Sequence, residues 1–212
     1  MELFETPPQN KPEALTLPAI PRWLDPAGTT TDAFYAAVYA QMSCLPIKGE
    51  ISRFLEKVNN AENRAAAARI AGDRGDPDTL TVLEAARKVQ VEVHRITGFL
   101  RFAPDLQGVY TARCEPDYFI LPALAEHFTL RFGETPWAII DEKRRLCLCR
   151  QKGGEARITP VSASPAAENG GGGCWEDLWR LYHRSVSNES RKNPGLQRQF
   201  MPRRYQKHLN EL

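Results

Sequence analysis

Apolar residues recur at alternating three- and four-residue steps through Leu83, Ala86, Val89, Val93 and Ile96, while Glu84, Arg87, Lys88, Glu92 and Arg95 fall on the other side. This spacing predicts an amphipathic helix of about five turns. Asp76-Pro77-Asp78-Thr79 signals its start and Gly98 its stop. Upstream, the pattern predicts a short helix over 32–42, with Phe34, Val38 and Met42 on one side. A second helix is predicted over 50–71, where AENRAAAARIAG combines strong helix formers with a terminal glycine.

Beyond Gly98 the period shortens. FLRFAP and GVYTARCEP read as two strands joined by a turn around Asp105 to Gly108. The segment DYFILPALAEHFTLRFG returns to helical spacing, with Leu124, Phe128 and Phe132 on one stripe and His127 and Arg131 beside it. PWAII and RLCLCR then read as strands linked by the charged turn Asp141-Glu142-Lys143-Arg144, and a further short strand covers 157–161. Phe99, Phe128, Phe132 and Trp137 are assigned to the core. The order strand–strand–helix–strand–strand predicts an α+β fold, an antiparallel sheet covered by helices with a helical basic carboxyl-terminal segment.

Six prolines within residues 1–30 predict an extended arm, with Trp23 and Leu24 as its anchor. SASPAAENGGGGC, residues 162–174, reads as a flexible loop. A helix over 175–187 is expected to turn Leu178, Leu181 and Tyr182 inward, and Lys192-Asn193-Pro194 and Met201-Pro202 break the remainder into short pieces. The organisation is therefore a proline-rich arm, 1–30, and a single α+β domain, 31–212.

With 212 residues, 42% hydrophobic and 25% charged, the chain can bury a core without disulfides. No apolar run approaches the about 18 residues of a membrane span, and MELFETPPQN lacks the features of a signal peptide. A cytoplasmic protein with no membrane association is expected. The five cysteines, Cys44, Cys114, Cys147, Cys149 and Cys174, form no CxxC pair, although Cys147 and Cys149 share one face of a strand. The four histidines show no HxH or HExxH pattern. No metal or cofactor is expected, and the thiols read as buried structural residues.

Charge changes the picture most. From Arg180 to Lys207 eight Lys or Arg face one acid, Glu189, a local +7 in a chain of formal charge +2, so the remainder sums to −5. A cationic tail on a mildly acidic body suits a polyphosphate. Tyr182, Phe200 and Tyr205 can stack on bases, and Asn193, Gln197 and Gln199 can read base edges. The alternative is a helix pair whose arginines are merely solvated.

Three blocks carry a resemblance: EVHRITGFLRF (92–102), EPDYFILPALAEHFTLRF (115–132) continuing to Asp141-Glu142-Lys143-Arg144, and RKNPGLQRQFMPRRY (191–205). Over residues 85–212 they resemble an uncharacterised bacterial family of probable DNA-metabolism or DNA-repair proteins. Its members typically accompany a radical-SAM protein, and some are fused to a uracil-DNA-glycosylase-like domain. The proline-rich start and Gln206 depart from the family pattern, and no glycosylase-like domain is expected in this sequence. The resemblance implies a DNA-repair or DNA-modification factor working with a radical-SAM partner.

Three groups of residues are candidates for chemistry. Arg191, Lys192, Arg198, Arg203 and Arg204 are expected to contact phosphates, with Asn193 and Gln197 beside them and Tyr205 stacking. Arg95 and Arg101 form a second nucleic-acid-binding set near His94, which reads equally as the cap of its own helix. His127, Asp141 and Glu115 are the catalytic candidates, for acid–base chemistry on a modified base or nucleotide. Against that, Asp117 can cap a helix and Asp141 can close a hairpin turn. A docking module for the radical-SAM protein, without DNA binding of its own, is the third reading.

Overall fold

In the computed structural model of the protein the described residues are 29–105, 107–161, 181, 182, 184–186, 188, 190, 193, 195, 196 and 205. The expected arm, up to the first helix, and the expected loop at 162–174 lie outside them. The chain divides into a helical unit, Leu15–His94 with Asp117–Ile120, and a sheet unit comprising Met1–Ala14, Arg95–Pro116 and Leu121–Leu212.

The helical unit contains α1 (Thr29–Met42), α2 (Lys48–Asn59), α3 (Arg64–Gly72) and most of α4 (Pro77–Phe99). α1 buries Ala33, Ala36, Ala37 and Ala40, together with the expected Met42, whereas Phe34 and Val38 are only half-buried. The alanines sit at i, i+3, i+4 and i+7, and their methyl groups allow close packing with Phe54, Val58 and Ala67. Ranking the face by side-chain size misses that solution. The single helix expected over 50–71 is two. Asn63 ends the interruption by accepting the Ala66 N–H at 2.9 Å, because asparagine satisfies a helix start better than a helix interior.

α4 begins as its sequence directs, with Pro77 in the first position and the Asp76 carboxylate accepting the Thr79 N–H at 2.9 Å. Its buried residues are Thr79, Val82, Ala85, Ala86, Val89, Glu92 and Ile96, while Leu83 and Val93 are half-buried. Glu92 therefore lies on the buried side, not on the solvent side assigned to it. Helix geometry places it in line with Val89 and Ile96, and only its charge argued otherwise. Arg53 on α2 reaches Asp78 at 2.8 Å, and Lys57 reaches Asp76 at 2.6 Å and Asp78 at 2.9 Å, tying α2 to the start of α4.

The sheet unit contains β1 (Ala103–Pro104), β2 (Tyr110–Cys114), α5 (Leu121–Phe132), β3 (Trp137–Asp141), β4 (Leu146–Arg150) and β5 (Arg157–Pro160), in sheet order β1-β2-β3-β4-β5. Three of the pairings are antiparallel, but β2 and β3 run parallel, from Tyr110↔Trp137 to Cys114↔Asp141. The wholly antiparallel sheet is thus corrected to a mixed one. α5 carries the chain back along the sheet, so the strand after it must repeat the direction of the strand before it. β1 is shorter than the FLRFAP strand expected, because α4 continues through Phe99.

α5 packs on one face of the sheet. Phe128 and Phe132 lie 6.1 and 6.4 Å from Trp137, and Phe102 lies 5.0 and 4.8 Å from the same two phenylalanines. Trp137 and Phe128 are fully buried, while Phe132 and Phe99 are partly so. Every residue of β3 is buried. Among the described residues no helix is long and apolar enough to cross a membrane.

Candidate functional site

The parallel pair sets the geometry that matters. β2 and β3 end side by side, so Glu115, which follows β2, and Asp141, which closes β3, are brought to the same end of the sheet. The carboxyl ends of parallel strands are where open α/β sheets bind ligands. The Glu142 N–H donates to the Cys114 carbonyl at 3.0 Å, and Arg113 pairs with Glu142 at 3.1 Å, fixing this corner.

Asp141 is 0% exposed. One carboxylate oxygen accepts the Arg144 N–H at 3.0 Å and the other accepts the Arg144 guanidinium at 2.9 Å. The same guanidinium nitrogen donates to the Pro116 carbonyl at 3.0 Å, so the pair clamps the β3–β4 turn to the chain leaving β2. Arg145 completes that turn with φ +55°. Both Asp141 oxygens are engaged and shielded from solvent, an arrangement suited to holding a turn. Glu115 is half-buried.

His127 is exposed and midway along α5, its ring meeting the adjacent Phe128 edge-on at 4.9 Å. Glu115 and Asp141 thus share the sheet end, whereas His127 takes no part in the Asp141–Arg144 pair. Asp117 does not cap α5, which begins at Leu121.

Of the second set, Arg101 donates to the Gly98 carbonyl at 3.0 Å and so satisfies the end of α4, the role considered for His94. His94 is exposed and Arg95 half-buried. Tyr205 is 3% exposed and its ring lies 5.6 Å from Phe99. Stacking of Tyr205 on a base, as expected of it, would require this ring to leave its packing against Phe99.

In the basic segment, Arg191, Lys192, Gln197, Arg198, Arg203 and Arg204 lie outside the described residues. Asn193 is described and exposed. Leu181 and Tyr182, expected inward, are 64% and 56% exposed and helical. Tyr182 is therefore a solvent-facing ring among the described residues of this segment.

Sequence reasoning missed Glu92. Its two carboxylate oxygens accept the backbone N–H groups of Asp117 at 2.9 Å and Tyr118 at 2.8 Å, holding the Asp117–Ile120 segment within the helical unit. The available signal was its position in the apolar stripe. Cys114, Cys147 and Cys149 are buried as expected, but Cys44 is exposed, and Cys174 lies outside the described residues. Among the described residues no three His, Cys, Asp or Glu side chains are grouped to hold a metal ion.

No protein of curated function and no solved structure is similar to this chain. A family model does match, over residues 49–211, from the second residue of α2 into the basic segment. The chain belongs to the DUF4130 family, a domain of unknown function.

Proposed function

We propose that this protein is a DNA-repair or DNA-modification factor that holds nucleic acid through its basic carboxyl-terminal segment. The observation that carries the reading is the charge asymmetry, eight cations against one acid between Arg180 and Lys207 on a body of opposite net sign. Arg191, Lys192, Arg198, Arg203 and Arg204 contact phosphates, with Asn193 and Gln197 as polar partners. The exposure of Tyr182, Arg184 and Asn193 supports a segment turned to solvent, and Tyr182 takes the stacking role.

If about five to six phosphates are engaged, affinity falls on the order of a hundred- to thousandfold or more between 50 and 200 mM salt. Titration of a fluorescent duplex and a single strand across that range tests the reading, and a flat response overturns it. An enzymatic role through His127, Asp141 and Glu115 draws less support, since Arg144 engages Asp141 and His127 is exposed midway along α5.

One observation favours a second reading. Leu181, Val186 and Leu196 are exposed along the same segment, and apolar side chains add nothing to a phosphate contact. They suit a protein partner with an acidic, partly apolar face, and the resemblance points to a radical-SAM protein. Co-purification that survives nuclease treatment, with no DNA binding by the isolated chain, selects this reading over the first.

A further inference from the structure

The solvent face of α4 gains a positive character that counting charges along the chain does not reveal. From Ala85 to Pro104 the sequence holds four Lys or Arg, Arg87, Lys88, Arg95 and Arg101, against one acid, Glu92. Folding moves that acid off the surface: Glu92 is buried, and its two carboxylate oxygens accept the Asp117 and Tyr118 N–H groups. Arg101 is spent on the Gly98 carbonyl and Arg95 is half-buried, which leaves Arg87 and Lys88 as the exposed pair. Among the described residues neither of them meets an acid at ion-pair distance, although exposed Glu84 stands one turn before them. By contrast, Arg53 and Lys57 on α2, and Arg113, Arg144 and Arg150 in the sheet unit, each face a carboxylate.

Helix geometry gathers the exposed residues onto one arc. Glu84, Arg87, Lys88, Val91 and His94 follow one another at three- and four-residue steps, Gln90 borders them, and all six are exposed. From Arg87 to His94 the arc runs about 10 Å along the helix, close to the about 12 Å width of the DNA major groove. We propose that this arc is a second contact surface for duplex DNA, on which Arg87 and Lys88 pair with backbone phosphates while Gln90 and His94 donate hydrogen bonds to the same backbone. The inference rests on the reading that the protein holds nucleic acid, and adds to it a surface on the helical unit and a preference for the duplex.

The composition of the arc selects this partner over other anionic surfaces. A membrane is unsuited, because the apolar side of α4, with Val82, Ala85, Ala86 and Val89, is buried in the protein's own core and cannot enter lipid. An acidic protein would need an apolar or aromatic anchor to hold by, and Val91 is the arc's single apolar side chain. A single strand would need rings to stack on, and the arc has no Phe, Tyr or Trp. A duplex asks for neither anchor nor ring. Its phosphates are fixed on a rigid surface and are met by charge, independently of base sequence.

The test titrates the full-length protein with a short fluorescent duplex and its single strand over the same salt range. Arg87→Gln with Lys88→Gln should weaken duplex binding about tenfold at low salt and lower the slope of log affinity against log salt by about two, whatever the duplex sequence. Both positions are exposed, so thermal unfolding should not move. Two comparison variants separate the causes. Arg69→Gln with Arg74→Gln removes the same charge from exposed positions on and after α3, and should leave the slope as it is. Arg203→Gln with Arg204→Gln neutralises part of the carboxyl-terminal segment instead. Unchanged duplex binding by the α4 variant, with loss in the Arg203 and Arg204 variant, overturns the arc and leaves the proposed function standing. Loss at α4 with none at Arg203 and Arg204 supports the arc and overturns the role of the tail. An equal loss with the Arg69 and Arg74 pair, a loss confined to the single strand, or no binding by the parent overturns the arc.

Discussion

Glu92 and Tyr118, 26 positions apart in sequence, meet through a 2.8 Å hydrogen bond from the Tyr118 backbone N–H to a carboxylate that is 3% exposed. The other carboxylate oxygen takes the Asp117 N–H, so a single side chain satisfies two consecutive donors where no ladder or helix does. Glu92→Gln presents an amide N–H to one of them. It should destabilise the protein by about 2–4 kcal/mol, because a buried donor left unmet costs more than the bond is worth when made. A shift of the urea midpoint with unchanged slope is the expected result, and an unchanged midpoint would show that the segment finds other partners.

Asp141 and His127 should separate cleanly in their effects on stability. Asp141→Ala removes the buried carboxylate that pairs with the Arg144 guanidinium, which is 20% exposed and keeps the Pro116 carbonyl, so the loss should fall toward the lower end of about 3–5 kcal/mol. His127→Ala removes an exposed ring and should stay within about 0.5 kcal/mol. Thermal unfolding of the two variants measures both. A large effect at His127 would mean that its edge-on contact with Phe128 contributes more than its exposure indicates.

The two tyrosines of the basic segment should exchange the roles their composition suggests. Tyr182→Ala should weaken single-strand binding by about 1–3 kcal/mol while leaving the fold intact. Tyr205→Ala removes a buried ring packed against Phe99 and should cost about 3–5 kcal/mol of stability. Binding and unfolding measured on both variants give a crossed pattern. Equal binding by wild type and Tyr182→Ala removes the stacking role.

Acid should loosen the α2–α4 contact within a defined window. Asp78 is held down to about 2 by hydrogen bonds from Arg53 and then Lys57, and Asp76 is lowered mainly by Lys57. A carboxylate depressed in the folded protein contributes its stability fully above its ordinary 3.8 and loses it as pH falls through about 2. Stability should therefore decline between pH 4 and 2, and Asp78→Asn should flatten that slope. The two cations are 53% and 38% exposed, so added salt should blunt the effect. A slope unchanged by the substitution would place the acid sensitivity elsewhere.

The sequence alone determined the elements and most of their order. Periodicity placed α4, α5 and the β3–β4 hairpin, because a helix or strand that buries one face must repeat its apolar residues at its own period. It also determined the cationic tail, since charge is counted without coordinates. The break between α2 and α3 was legible in Asn60 and Asn63, but the alanine run outweighed it. Only the tertiary structure decided the rest. The β2–β3 direction follows from α5 crossing back along the sheet, and the burial of Glu92 follows from two N–H groups 25 and 26 positions away that need an acceptor. The Asp141–Arg144 clamp and the core position of Tyr205 are likewise long-range facts. Residue type reports what a side chain can do; which of those capacities is used depends on partners that local sequence does not contain.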